Sequence, residues 1–180
     1  MRTLSTIALC LLLFVHFVPA QKNAFVAVKG TSLITPDGKP ILLRGINIGN
    51  WLVPEGYMFK FTHTNSPQRI NETFSQLLGP DETKKFWKQY RDNYITREDI
   101  AFIKKSGLNS IRVPFNYRLF VSEDQSVRFD GPGFEMLDRI IAWCKAEKLY
   151  VILDMHCAPG GQTGDNIDDS FGYQIGRAHV

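Results

Sequence analysis

Tyr150-Val151-Ile152-Leu153-Asp154-Met155-His156 is an apolar strand that runs straight into a carboxylate and an imidazole, and Cys157-Ala158-Pro159-Gly160-Gly161 follows as a turn. The same layout occurs twice upstream. Leu108 to Phe115, LNSIRVPF, is a β-branched run that ends polar and breaks at Pro114, and Ile41 to Asn47, ILLRGIN, begins apolar and ends polar. Asn47, Arg112 and His156 thus occupy corresponding places at the ends of three strands.

Helical signals separate the strands. Asp81 opens one stretch, containing Phe86, Trp87 and Tyr90, and Thr96-Arg97-Glu98-Asp99 caps a second that runs to Lys105, with Gly107 as its stop. Asp130-Gly131-Pro132-Gly133 precedes a third, whose Leu137, Ile140, Ile141 and Cys144 fall at i, i+3, i+4 and i+7. The order β-α-β-α-β calls for a parallel sheet. A doubly wound nucleotide-binding sheet would need a Gly-rich turn after its first strand, but Gly45-Ile46-Asn47-Ile48-Gly49-Asn50 lacks the G-x-G-x-x-G spacing and no P-loop occurs. Polar residues at every strand end instead suit an α/β fold of the (β/α)₈ (TIM) barrel type, whose chemistry sits at the carboxyl ends of the strands. The expected portion is about three βα units plus an N-terminal hairpin.

That hairpin is expected around Pro36-Asp37-Gly38-Lys39, a turn sequence that follows alternating apolar residues at Phe25 to Val28 and a segment from Ser32 to Thr35 and precedes Ile41 to Asn47. Residues 49 to 80 show no helical period and carry Pro54, Pro67 and Pro80, so they read as a long loop, which in a compact domain is usually functional. Trp51, Tyr57 and Phe59 in that loop offer ring faces for stacking on sugars, with packing beneath the loop as the alternative.

The two ends of the chain read differently. Residues 1–20, MRTLSTIALCLLLFVHFVPA, carry Arg2, an apolar run and Val18-Pro19-Ala20, the pattern of a secretory signal peptide. The run from Ile7 to Val18 reaches only about 18 Å as a helix, short of the roughly 30 Å hydrocarbon core. Cleavage after Ala20 would leave 160 of the 180 residues and a net charge of +2. Residues 175–180, IGRAHV, match one translated frame of a widely used short-read sequencing adapter and are expected to be non-native, which removes Arg177 and His179 from the candidate site residues. The domain expected between these ends is 21–174.

The chain has 44% hydrophobic and 22% charged residues, as ordinary globular chains do, and its 21 basic and 18 acidic residues are dispersed. Nucleic-acid and polybasic membrane binding therefore have no support. Two cysteines remain after leader removal, and the seven residues of strand up to Cys157 span about 23 Å, so Cys144 and Cys157 are expected as packed thiols rather than a bridge. Asp154, His156, Cys157 and Asp165 lie close in sequence, but no ligand pair falls at helical spacing and neither H-x-x-x-H nor C-x-x-C occurs, so no metal is expected.

LLRGINIGNWLVPEGYM (42–58), GLNSIRVPFNY (107–117) and YVILDMHCAPGGQTGDN (150–166) together resemble the first three strand segments of glycoside hydrolase family five, the cellulase family. They are most similar to its exo-β-1,3-glucanase and β-glucosidase branch. The resemblance covers about Gly30 to Gly172 and implies a retaining hydrolase of β-glucans that needs no cofactor, which the leader pattern would make a secreted one. Such enzymes use two carboxyl groups about 5–5.5 Å apart. By the resemblance, Arg112 flanks the nucleophile and keeps it charged, His156 bonds hydroxyls of the sugar at the cleavage subsite, and Glu55 contacts the terminal sugar. The branch usually has a bulky residue before that glutamate and a proline after it, whereas Pro54 and Gly56 stand here.

Asn71-Glu72 imitates the family's catalytic Asn-Glu pair, but that pair belongs to strand four. With Thr73 it also forms a glycosylation sequon, and a solvated loop is the plainer alternative. The family's acid/base and nucleophile glutamates lie on strands four and seven of a barrel that needs about 250 residues. Both are therefore expected outside this chain, which by itself should be inactive. A non-catalytic carbohydrate-binding protein is the rival reading, and cellulose, mannan and xyloglucan are the alternative substrates.

Overall fold

A computed structural model of the chain describes residues 25–121 and 132–159, so the leader at 1–20, Asp165 and the tail at 175–180 lie outside the described residues. The chain divides into two compact units, residues 1–42 and 43–180.

In the first unit β1 (Ala27–Lys29) pairs antiparallel with β2 (Ser32–Ile34), Val28 opposite Leu33. The reversal lies at Gly30-Thr31, upstream of the expected turn, and Gly30 adopts φ 60° there. Pro36-Asp37-Gly38-Lys39 makes a second reversal, with the Gly38 N–H donating to the Thr35 carbonyl and the Ile41 N–H to that of Leu33, each at 2.9 Å. The Thr35 hydroxyl and the Lys39 ammonium both bind the Asp37 carboxylate and hold its pKa at about 2.

The second unit runs β3 (Gly45–Asn47), α1 (Pro67–Leu78), α2 (Pro80–Tyr94), α3 (Arg97–Lys105), β4 (Ser110–Asn116), α4 (Pro132–Ala146) and β5 (Tyr150–Cys157). Its three strands form a parallel sheet in the order β3-β4-β5. Asn47 pairs with Arg112 and Pro114 with Asp154, so Asn47, Arg112 and Asp154 share one face. Ile111 and Val113, on the other face, are fully buried against Ile100 and Ile103 of α3 and Met136, Leu137, Ile140 and Cys144 of α4. β3 and β4 approach so closely that a Cβ on Gly45 would lie 2.5 Å from the Ser110 carbonyl oxygen, which requires glycine there.

Three features depart from the expected pattern. Residues 67–78 are helical, because Ser66 accepts from the Arg69 N–H at 3.3 Å, Pro67 starts the first turn, and Ile70, Phe74 and Leu77 recur at helical spacing. β3 is shorter than the expected run, beginning only at Gly45. Pro114 lies inside β4 rather than breaking it. The Arg112 carbonyl accepts from Ile48 N–H at 2.9 Å, so Pro114, two residues on, faces the same edge just past the end of β3, where a ladder N–H is not required. Helix α3 starts as expected: Thr96 and Asp99 form a capping box, with the Thr96 N–H donating to Asp99 Oδ2 at 2.8 Å. Cys144 and Cys157 are buried and not bridged to each other, and burial pushes the Cys144 thiol up to about 11.

Candidate active site

The parallel register gathers four polar side chains at the carboxyl ends of the strands. Arg112 Nη1 donates to Asn47 Oδ1 at 2.8 Å, and its Nη2 donates to Asp154 Oδ2 at 2.6 Å and lies 3.2 Å from His156 Nδ1. His156 Nδ1 is also 3.0 Å from Asp154 Oδ2. With Nδ1 occupied on both sides, Nε2 is the ring nitrogen left for a ligand. The Arg112–Asp154 pair is partly exposed and worth at most about 1 kcal/mol to folding, so its consequence is orientation. Phe115 pairs with Met155 and Asn116 with Cys157, which makes His156 an extra residue in β5. Such a bulge re-aims a side chain, and the sequence carries no sign of it.

Glu55 is buried in the loop after β3, close enough to His156 and Arg112 for both to act on its carboxyl. Asn50 builds its seat. At φ 62° Asn50 takes the left-handed conformation that asparagine tolerates, its Oδ1 accepts from the Glu55 N–H at 2.9 Å, and its carbonyl accepts from the Tyr90 hydroxyl at 2.6 Å. Sequence reasoning passed over Asn50 and Tyr90, whose partners lie 5 and 40 residues away.

Gly56 resolves the departure from the family pattern. Its N–H donates to the Asn65 carbonyl and its own carbonyl accepts from the Phe61 N–H, both at 2.9 Å, closing the loop on itself. Proline has no such donor. A Cβ at this position would lie 2.2 Å from the Thr64 carbonyl oxygen and 2.6 Å from Asn65 Cα, backbone atoms that cannot swing aside. Gly56→Ala is expected to destabilise the protein by about 3 kcal/mol, read from the midpoint of urea unfolding.

Burial raises the Glu55 pKa above its ordinary 4.5, against the opposing pull of His156, the Tyr57 hydroxyl and Arg112. The fold therefore binds this proton more tightly than the unfolded chain. Its stabilising contribution is complete below the unfolded pKa and is lost as pH rises through the folded one. Glu55→Gln should accordingly raise the melting temperature at about pH 7 and leave it unchanged at about pH 3.5. Equal melting temperatures at neutral pH would show that Arg112 and His156 fully compensate the buried charge.

The remaining candidates separate. Trp51 corrects the expectation of a sugar-stacking ring: it is fully buried in the core, with its indole N–H donating to the Arg91 carbonyl at 2.8 Å, so neither ring face is open. Phe59 packs against Phe61 and Tyr90 at centroid distances of 5.2 and 5.7 Å. Tyr57 is the exposed ring of the three, and its hydroxyl makes a long, 3.5 Å contact with Glu55 Oε2. Asn71 and Glu72 lie on α1 rather than in a loop, with Asn71 Oδ1 accepting the Trp87 indole N–H. Among the described residues no group of three or more His, Cys, Asp and Glu side chains is placed to hold a metal, and the Arg112 guanidinium sits between Asp154 and His156.

A family profile described as cellulase (glycosyl hydrolase family 5) matches residues 65–174. A beta-xylosidase of Phanerodontia chrysosporium is 36% identical over 143 residues, covering 79% of this chain and 29% of that protein. A probable glucan 1,3-beta-glucosidase A of Emericella nidulans is 35% identical over 124 residues, 68% of this chain and 30% of that protein. The crystal structure of rutinosidase from Aspergillus niger is similar in fold, with a TM-score of 0.58 at 23% identity over 72% of this chain and 37% of that one. The chain thus spans about 30% of the length of these curated relatives.

Proposed function

The chain belongs to glycosyl hydrolase family 5, the cellulase family, and from that premise we propose that it is the N-terminal part of a secreted retaining β-glucan hydrolase of the exo-β-1,3-glucanase or β-glucosidase type. The observation that carries this reading is the Asn47–Arg112–Asp154–His156 network at the ends of three consecutive parallel strands, with buried Glu55 beside it. β3, β4 and β5 are then the first three strands of an eight-stranded barrel, and their polar face is the floor of its active site. The leader-like residues 1–20 support secretion.

Each residue has a distinct part in this mechanism. Arg112, held in plane by Asn47 and Asp154, presents its positive charge to the nucleophile glutamate contributed by a later strand and keeps that carboxylate ionised. His156 offers Nε2 to a hydroxyl of the sugar at the cleavage subsite, fixing the ring for in-line attack. Glu55, seated by Asn50, accepts from hydroxyls of the terminal sugar, and the Tyr57 ring stacks on its apolar face. The two glutamates that form and break the glycosyl-enzyme bond belong to strands beyond this chain.

The test is a screen of the full-length protein on β-1,3-, β-1,4- and β-1,6-linked glucans, with the fresh product followed by proton NMR. Glucose released from β-1,3-glucan first as the β anomer is the expected result. An α anomer, or no sugar from any of the glucans, would overturn the proposal.

A further inference from the structure

A separate cavity of about 240 Å³ lies between the α1–α2 pair and the end of β4, and shares no residue with the Arg112 network. It is smaller than the roughly 300–1,000 Å³ of drug-sized ligand sites, which suits a single ring. Its polar wall has an unusual balance. Asn71 Oδ1 is taken by the Trp87 indole, Gln68 Oε1 by Arg118 Nη2 at 3.0 Å, and Asn116 Oδ1 by the Arg118 N–H at 2.9 Å. Three amide oxygens are thus used within the protein, and three amide NH₂ groups remain as donors.

Arg91 adds a charged donor to the same wall. Its Nε is buried without a hydrogen-bond partner, and the acid next to it in sequence, Asp92, is held by Lys88 at 2.7 Å and Arg139 at 3.1 Å. Burial lowers the Arg91 pKa from its ordinary value, against the opposing pull of Asp92. A half-buried guanidinium whose Nε has no hydrogen bond, and whose neighbouring acid is shared with two other cations, leaves positive charge that an anion in the cavity would offset. The cavity's one carboxylate is Glu72, an exposed acceptor on its lining, and Trp87 contributes an aromatic wall. An anion for Arg91, hydroxyls for Glu72 and an apolar ring face for Trp87 together describe a polyhydroxylated carboxylate.

We propose that this cavity binds a uronic acid residue, apart from the site of glycosidic cleavage. The carboxylate would accept from Arg91 and the amide donors, as charge-assisted hydrogen bonds favour, and the ring hydroxyls would donate to Glu72. That the carboxylate is carried by a sugar rests on the glycosidase reading, whereas an anion at Arg91 does not.

The experiment is calorimetric titration of the full-length protein with methyl β-glucuronide, methyl β-glucoside and acetate, repeated on Arg91→Gln and Glu72→Ala, with β-glucan hydrolysis measured in parallel. The glucuronide is expected to bind at least about tenfold more tightly than either control, and Arg91→Gln to remove that advantage while hydrolysis is unchanged. Glu72→Ala, an exposed change that spares the fold, should weaken the glucuronide severalfold and leave acetate unaffected. Glucuronide binding that ignores both substitutions, or that equals acetate binding, would overturn the proposal. Arg91-dependent glucuronide binding in a protein that hydrolyses no glucan would sustain this site and remove the glycosidase reading.

Discussion

Arg112→Ala in the full-length enzyme is expected to lower kcat on β-glucan by about 10²–10³-fold with a much smaller change in KM. One guanidinium serves Asn47, Asp154 and His156 at 2.8, 2.6 and 3.2 Å. Its removal leaves the Asn47 amide oxygen without that donor, leaves His156 as the remaining partner of the Asp154 carboxylate, loosens one of the two contacts that hold the His156 ring and, in the proposed mechanism, deprives the nucleophile of the positive charge that keeps it ionised. Deleting one preorganised donor from an active site typically costs about 3–4 kcal/mol of transition-state stabilisation, which converts to that loss of rate. Arg112→Lys should rescue little, because an ammonium is a point charge and cannot bridge Asn47 and Asp154 in one plane. Steady-state kinetics decide the matter, since an unchanged turnover number in Arg112→Ala would remove the residue from the mechanism.

The 180-residue chain by itself should hydrolyse no β-glucan above the uncatalysed rate, and a chain extended through the remaining strands should regain at least about 10⁶-fold. Retaining hydrolysis needs two carboxyl groups about 5–5.5 Å apart, one to attack and one to move the proton. The cluster in this chain does not offer such a pair, because Asp154 is tied to Arg112 and His156 and Glu55 is buried with a raised pKa. The sheet also carries apolar side chains that want neighbours: Ile46, Leu153 and Met155 lie on its helix-packed face, yet on the two outer strands they are 48%, 46% and 52% exposed. Added strands and helices would cover them. The short chain is therefore expected to bind hydrophobic dye and to self-associate in size-exclusion chromatography, and the extended chain to do neither. Glucan hydrolysis by the 180-residue chain would show that its own carboxylates suffice.

Local order was legible in the amino acids, because capping and periodicity act within a few residues. Thr96 with Asp99 announced α3, Leu137, Ile140 and Cys144 announced α4, and Asn47 and His156 marked the ends of β3 and β5, whereas β4 runs four residues past Arg112 to Asn116. Helix α1 had its own signal in Ser66-Pro67 and the Ile70, Phe74, Leu77 spacing, but it is embedded in a longer stretch rich in prolines and loop residues, which obscures the period. Resemblance to a known family singled out Arg112, His156 and Glu55.

Tertiary structure decided what those residues do together. Asn47 and Arg112 are 65 residues apart in the chain and Arg112 and Asp154 are 42 apart, and only the parallel register brings them into hydrogen-bond contact. The bulge that turns His156 toward Arg112, the left-handed Asn50 beneath Glu55, the burial of Trp51 and the unsatisfied Nε of Arg91 are likewise consequences of packing. A pattern of residue types reports which face of an element is apolar. Which side chains meet depends on strand register and on the backbone atoms a Cβ would strike, and those are set by the whole fold.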